Sequence, residues 1–236
     1  MRSGKSIIHR YSIFANIALS AFFIWYFFVH IGADVYYRKY VSPRETYLDN
    51  VYYESKVDSY AGLNEKLSRD QAYTIFIGDS LIEQFPVKEL FPDAQVINRG
   101  IGLDTTIGVL KRLEKNMNNV NIGKSFLMIG YNDLKYRSVE ETAGNIETIM
   151  ARIKAKKRYF ISILPCRDSV YNEKIKQVNL KIKMLSQKSG FEYLDCYSLF
   201  VDSNGKQQAQ YYYDGVHLTL PGYLKIKELL QSSIKS

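Results

Sequence analysis

Ser80 stands in the run Gly78-Asp79-Ser80-Leu81, directly after the apolar segment TIFI. A serine hydroxyl is a weak nucleophile until a base takes its proton during attack. The chain has three histidines, His9, His30 and His217. The first two flank a long apolar stretch near the start, so if a Ser–His pair operates, His217 is its base by elimination. Asp214 precedes it by three residues and can accept from one ring nitrogen, leaving the other aimed at Ser80. Such a base contributes on the order of 10²–10⁴ in rate. Plainer roles stand beside these: a helix N-cap for Ser80, a structural cap for His217, and a turn for Asp79, although support of the serine loop suits Asp79 better.

These residues need a frame. From Thr74 onward, short apolar runs alternate with helix-like segments. The runs are 74–80, 95–101, 125–133, 158–165 and 191–198, near-continuous rather than alternating, as in strands covered on both faces. Between them, 106–117 carries an apolar stripe at Ile107, Leu110, Leu113 and Met117. Ser138-Val139-Glu140-Glu141 is a capping box that opens a second helix towards Lys156. A third helix spans 175–188 and ends at Gly190, and Pro221 suits the first turn of a last helix reaching Ile234. Alternation of this kind predicts a parallel sheet with helices on both faces, which binds ligands at the carboxyl ends of its strands. Two further motifs fall there: Asn98 to Thr105 (NRGIGLDT) and Gly130-Tyr131-Asn132-Asp133.

The four blocks G-D-S, the glycine block, G-x-N-D and D-x-x-H, in this order from about Tyr73 to the C-terminus, resemble those of the SGNH (GDSL) hydrolases. The resemblance implies a flavodoxin-like three-layer α/β/α sandwich with a five-stranded parallel sheet. It implies an esterase acting through an acyl-serine, with Ser80, Asp214 and His217 catalytic. It assigns the oxyanion donors to the backbone N–H of Ser80, a backbone N–H of the second block at Leu103 or Gly102, and the side chain of Asn132. Asp79 and Gly100 support the loops. The family's donor before Asp-Thr is usually a glycine, and here that position is Leu103. If the glycine has positive φ, leucine is strained there or the loop is reshaped. Asn132 as a simple turn former is the plainer alternative, and Asp133 is expected to serve the loop. Tyr211, Tyr212 and Tyr213 are either an aromatic platform for sugar or acyl chain or a lead-in packed on the core. Small O-acyl esters, acetyl groups on carbohydrate in particular, are the implied substrates. An O-acyltransferase would use the same residues, and a tethered binding protein would keep the fold without the chemistry.

Ahead of this domain (73–236), residues 11–31 read YSIFANIALSAFFIWYFFVHI, with no acid, lysine or arginine. As a helix they would rise about 31 Å, close to the hydrocarbon thickness of a bilayer. A single uncleaved transmembrane anchor is expected, rather than a cleaved signal peptide or a buried core helix. A basic tail (1–10) precedes it and a helical neck or cap (32–72) follows. Arg2, Lys5 and Arg10 before the span suggest a catalytic domain outside the cytoplasm, although Arg38, Lys39 and Arg44 after it weaken the bias. The net charge of +8 is scattered, which gives nucleic-acid binding no footing. G-x-S-x-G and phosphate-loop motifs are absent, and no clustered ligands suggest a metal, so no cofactor is expected. Cys166 and Cys196 each follow a predicted strand and could meet at one sheet edge as a disulfide outside the cytoplasm, but two independent thiols are expected. The oligomeric state is not legible in the sequence.

Overall fold

The computed structural model describes residues 16–27, 29 and 51–235. The chain divides into two compact units, 1–49 and 50–236. In the first, residues 16–26 are helical and expose apolar side chains including Ile17, Phe22, Phe23 and Trp25. The rest of the expected 11–31 span lies outside the described residues, apart from 27 and 29. Among the described residues no helix is long and apolar enough to cross a membrane.

In the second unit, five strands form one parallel sheet in the order β2-β1-β3-β4-β5. They are β1 (Tyr73–Gly78), β2 (Val96–Gly100), β3 (Ile122–Met128), β4 (Lys157–Ile161) and β5 (Glu192–Leu194). The apolar runs outlast most of these strands because Ile129, Ile163 and Leu164 stay buried after the ladder has ended. Neighbouring residues of each strand feed opposite faces. Ile75, Ile77, Leu127 and Phe160 pack under α4 (Thr106–Met117), α5 (Val139–Arg152) and α6 (Ser169–Ser189). Phe76, Phe126, Met128 and Tyr159 pack under α2 (Ser80–Glu83), α3 (Val87–Leu90) and α7 (Leu220–Lys235). On that second face Phe126 stacks between Phe76 and Tyr159, with centroids 4.9 and 4.6 Å away. The three-layer sandwich is therefore present.

Local signals set the helix ends. The capping box forms as expected, with Ser138 and Glu141 each bonded to the other's backbone N–H. Gly190 closes α6 at φ 69°. That helix starts six residues before the expected 175, because Asp168 caps it by accepting from the N–H groups of Val170 and Tyr171. Ser169 and Val170 at its start are exposed, and no apolar periodicity betrays the turn.

On α4 the expected stripe faces the core, with Leu113 buried and Leu110 and Met117 half-buried against it, but Thr106, Gly108, Arg112 and Asn116 are buried as well. The helix is pressed between the sheet and α1 (Val51–Asn64), so polar residues are buried along its second contact. That same α1 falls within the expected neck, yet it is built into the second unit. Tyr53, Val57, Tyr60 and Asn64 form its buried stripe. The Tyr53 hydroxyl donates to Gly108 O (2.8 Å) and the Tyr60 hydroxyl to Gly100 O (2.6 Å). Residues 32–50 of the expected neck lie outside the described residues.

Candidate active site

In the order 2-1-3 the chain leaves β1 to both sides, which opens a crevice at the carboxyl ends of the strands. Ser80 sits there as the first residue of α2. Asp79 caps that helix, its carboxylate accepting from Leu81 N at 3.0 Å, and is itself buried. Two glycines let the helix settle on the sheet. A Cβ on Gly78 would lie 2.2 Å from Met128 O, and one on Gly100 would lie 2.2 Å from Glu83 N. The support expected of Asp79 and Gly100 is thus structural and local.

The loop before α7 brings the base to the serine. Ser80 Oγ lies 2.9 Å from His217 Nε2, and His217 Nδ1 lies 2.6 Å from Asp214 Oδ2. The other carboxylate oxygen accepts from the backbone N–H of Val216 (2.9 Å) and His217 (2.8 Å). Partial burial works against ionisation of Asp214, but the backbone and ring N–H groups of His217 and the amide of Val216 outweigh it and hold the carboxyl at about 2. With the carboxylate on Nδ1, that nitrogen carries the proton and Nε2 faces the hydroxyl as an acceptor. This is a geometry for taking a proton from Ser80 as its oxygen attacks.

The second block turns sharply. Asp104 N bonds back to Ile101 O at 3.2 Å, and Leu103 takes a left-handed conformation at φ 59°. That is the third position of a turn at which glycine is favoured. The strained alternative raised by the sequence is therefore the one observed, and it falls on Leu103, not on Gly102. The side chain is half exposed. The backbone N–H groups of Ser80, Gly102 and Leu103 have no hydrogen-bond partner among the described residues. Asn132 begins a short 3-10 turn, and its Nδ2 donates to Asp104 O at 2.9 Å, tying the third block to the second. Asp133 serves structure as expected: its two oxygens accept from the hydroxyl (2.6 Å) and backbone N–H (2.9 Å) of Thr106 at the start of α4.

The lock behind this loop belongs to no motif of the sequence. Arg112 Nε pairs with Asp104 Oδ2 at 2.7 Å, and both side chains are buried. The same guanidinium donates to Arg99 O (2.8 Å) and Gly78 O (3.0 Å), so one side chain gathers the ends of β1 and β2 and the glycine loop. Burial pushes the Asp104 carboxyl up to about 6 against the opposing pull of Arg112. The available signal was an arginine in register with Leu113 and Val109 on the inner side of α4.

The three tyrosines divide. Tyr212 is buried and Tyr211 half-buried, both edge-on to Phe200. Tyr213 is exposed and stacks on the His217 ring, with centroids 5.7 Å apart and planes at 16°. Cys166 and Cys196 are both buried free thiols. Among the described residues no group of three or more His, Cys, Asp and Glu is placed to hold a metal ion.

The sequence and fold are shared with known proteins. Residues 58–225 match the model of the GDSL-like Lipase/Acylhydrolase family. The human platelet-activating factor acetylhydrolase IB subunit alpha2 is 31% identical over 172 residues, covering 68% of this chain and 75% of that protein. A solved structure from Streptococcus pneumonia superimposes with a TM-score of 0.69 at 29% identity, over 77% of this chain and 92% of the other. An acetylxylan esterase from Geobacillus stearothermophilus shares the fold at a TM-score of 0.59 and 16% identity, over 69% and 94%.

Proposed function

The chain belongs to the GDSL-like lipase/acylhydrolase family, and from that premise we propose that it hydrolyses small O-acyl esters, acetyl esters foremost, through an acyl-serine formed on Ser80. The observation that carries this reading is the 2.9 Å contact between Ser80 Oγ and His217 Nε2, backed by Asp214. Ser80 Oγ attacks the ester carbonyl carbon and its proton passes to Nε2. The negative oxygen so formed is held by the N–H groups of Ser80 and Leu103 and by the Asn132 amide, with Gly102 beside them. Collapse expels the alcohol, which takes the proton back from Nε2. Water then attacks the acyl-serine, giving its proton to His217, and release of the acid restores Ser80.

The acetyl group is supported by the acetylhydrolase named among the relatives. Water as acceptor is supported by exposure, because the Asp214 side chain is 43% and the His217 side chain 23% accessible. An acyltransferase needs water kept from its acyl-enzyme. A carbohydrate alcohol suits so open a site. Anchoring to a membrane through 11–31 is part of the same proposal, supported by the uncharged run and by the exposed apolar side chains of the 16–26 helix. Digestion of the catalytic unit by protease added to intact cells is the expected result for a unit outside the cytoplasm; full protection places it inside.

The test is labelling by a fluorophosphonate. Wild type is expected to label and Ser80→Ala to stay blank, and His217→Ala should lose turnover of a short-chain aryl ester by at least about 10²-fold. A folded wild-type protein that does not label overturns the reading.

A further inference from the structure

Two segments must meet for the proton transfer to work, and they lie far apart in the chain: α2, which carries Ser80, and the 214–217 loop, which carries the base. Tyr213 touches both. Its ring stacks on the imidazole of His217 with planes at 16°. Its hydroxyl donates to Gln84 Oε1 at 3.1 Å. Gln84 is the residue that closes α2, its N–H bonded to the carbonyl of Ser80 at 3.0 Å. The backbone N–H of Tyr213 also donates to His217 O at 3.1 Å, which fixes the backbone from which the imidazole projects.

This arrangement answers a mechanical problem. The bond from Nδ1 to Asp214 pins the imidazole at one point and leaves the ring able to tilt about it. A flat contact on one face removes that freedom. Tilting by a few tenths of a radian moves Nε2 by roughly 1 Å, a displacement that can cost on the order of 10²-fold in rate. On the proposed esterase reading, the geometry points to Tyr213 as a positioning residue: it sets the plane of the His217 ring and, through Gln84, ties that plane to the helix of the nucleophile. The aromatic and the amide form one strut between base and serine.

The strut differs from a sugar platform in what its loss should change. A positioning role acts on every reaction of Ser80, whatever the alcohol. Fluorophosphonate labelling rates and aryl acetate kinetics on the full-length chain separate the two. Tyr213→Ala is expected to slow labelling and lower kcat by on the order of 10–100-fold with KM changed by less than about 2-fold, and Tyr213→Trp should restore most of both. Tyr213→Phe and Gln84→Ala break the same bond, so each should lose a few-fold and the double variant no more than either alone. Tyr213 and Gln84 are both exposed, and unchanged melting temperatures verify that the variants are folded. Labelling of Tyr213→Ala at the wild-type rate overturns the proposal. A defect confined to KM for an acetylated glycan also overturns it and assigns the ring to substrate. Failure of the wild type to label overturns the esterase reading itself, which keeps the two failures apart.

Discussion

Leu103 holds a backbone conformation that costs an L-residue roughly 1–2 kcal/mol, and it holds it at the lip of the crevice that contains Ser80. The cost is tolerated because Asp104, the next residue, is locked by Arg112 and by Asn132, so the turn is dictated from its far side. Asp214 is constrained in a different currency. Its folded carboxyl titrates at about 2 against an ordinary 3.8, so its contribution to stability is complete above the ordinary value and is lost as pH falls through about 2. Asp214→Asn should therefore lower the melting temperature at neutral pH, and the gap from wild type should close between about pH 4 and pH 2. A gap unchanged across that range would contradict the assignment. Single residues of this kind were legible when their partners were near in sequence. Asp214 and His217 are three apart, and the leucine in a glycine's place was visible as an anomaly. Tyr213 was visible as an aromatic and not as a strut, because its partner Gln84 lies 129 residues away.

At the scale of elements, α4 carries more of the site than any strand does. Thr106 at its start binds Asp133, Arg112 in its middle binds Asp104 and two strand-end carbonyls, and Asn116 accepts from Arg112 at 3.2 Å. Removing the cation alone would leave a fully buried carboxylate without its partner. Arg112→Met is expected to cost about 3–5 kcal/mol in denaturant unfolding, and adding Asp104→Asn should recover part of it. A single variant within about 0.5 kcal/mol of wild type would show the pair to be dispensable. The helix itself was plain from its apolar spacing, since periodicity reports which residues face a core. It does not report a second buried face filled by polar groups, and for that reason Arg112 and Asn116 went unseen. The caps at Ser138 and Gly190 were seen because capping is decided within one turn.

For the whole molecule, the informative boundary is the one before α1. The family match begins at residue 58, inside that helix, while the compact unit begins at 50. Buried Tyr53, Val57 and Tyr60 together contribute roughly 5 kcal/mol or more, a large part of the stability of a domain this size. A chain started at residue 50 should melt cooperatively, and one started at 73 should not; equal transitions in a thermal melt would refute the assignment of α1 to the domain.

That same helix also decides what the open side of the sheet can do. An edge strand with unanswered carbonyls is a template for a strand from a neighbouring molecule. At the upper end of β2 the outward carbonyls of Asn98 and Gly100 are taken by Arg99 Nη1 (2.9 Å) and the Tyr60 hydroxyl of α1 (2.6 Å). The opposite edge, β5, offers only three residues. A sheet finished in side chains at one border and cut short at the other resists extension from outside. Copies of the domain brought close together thereby keep their strands apart.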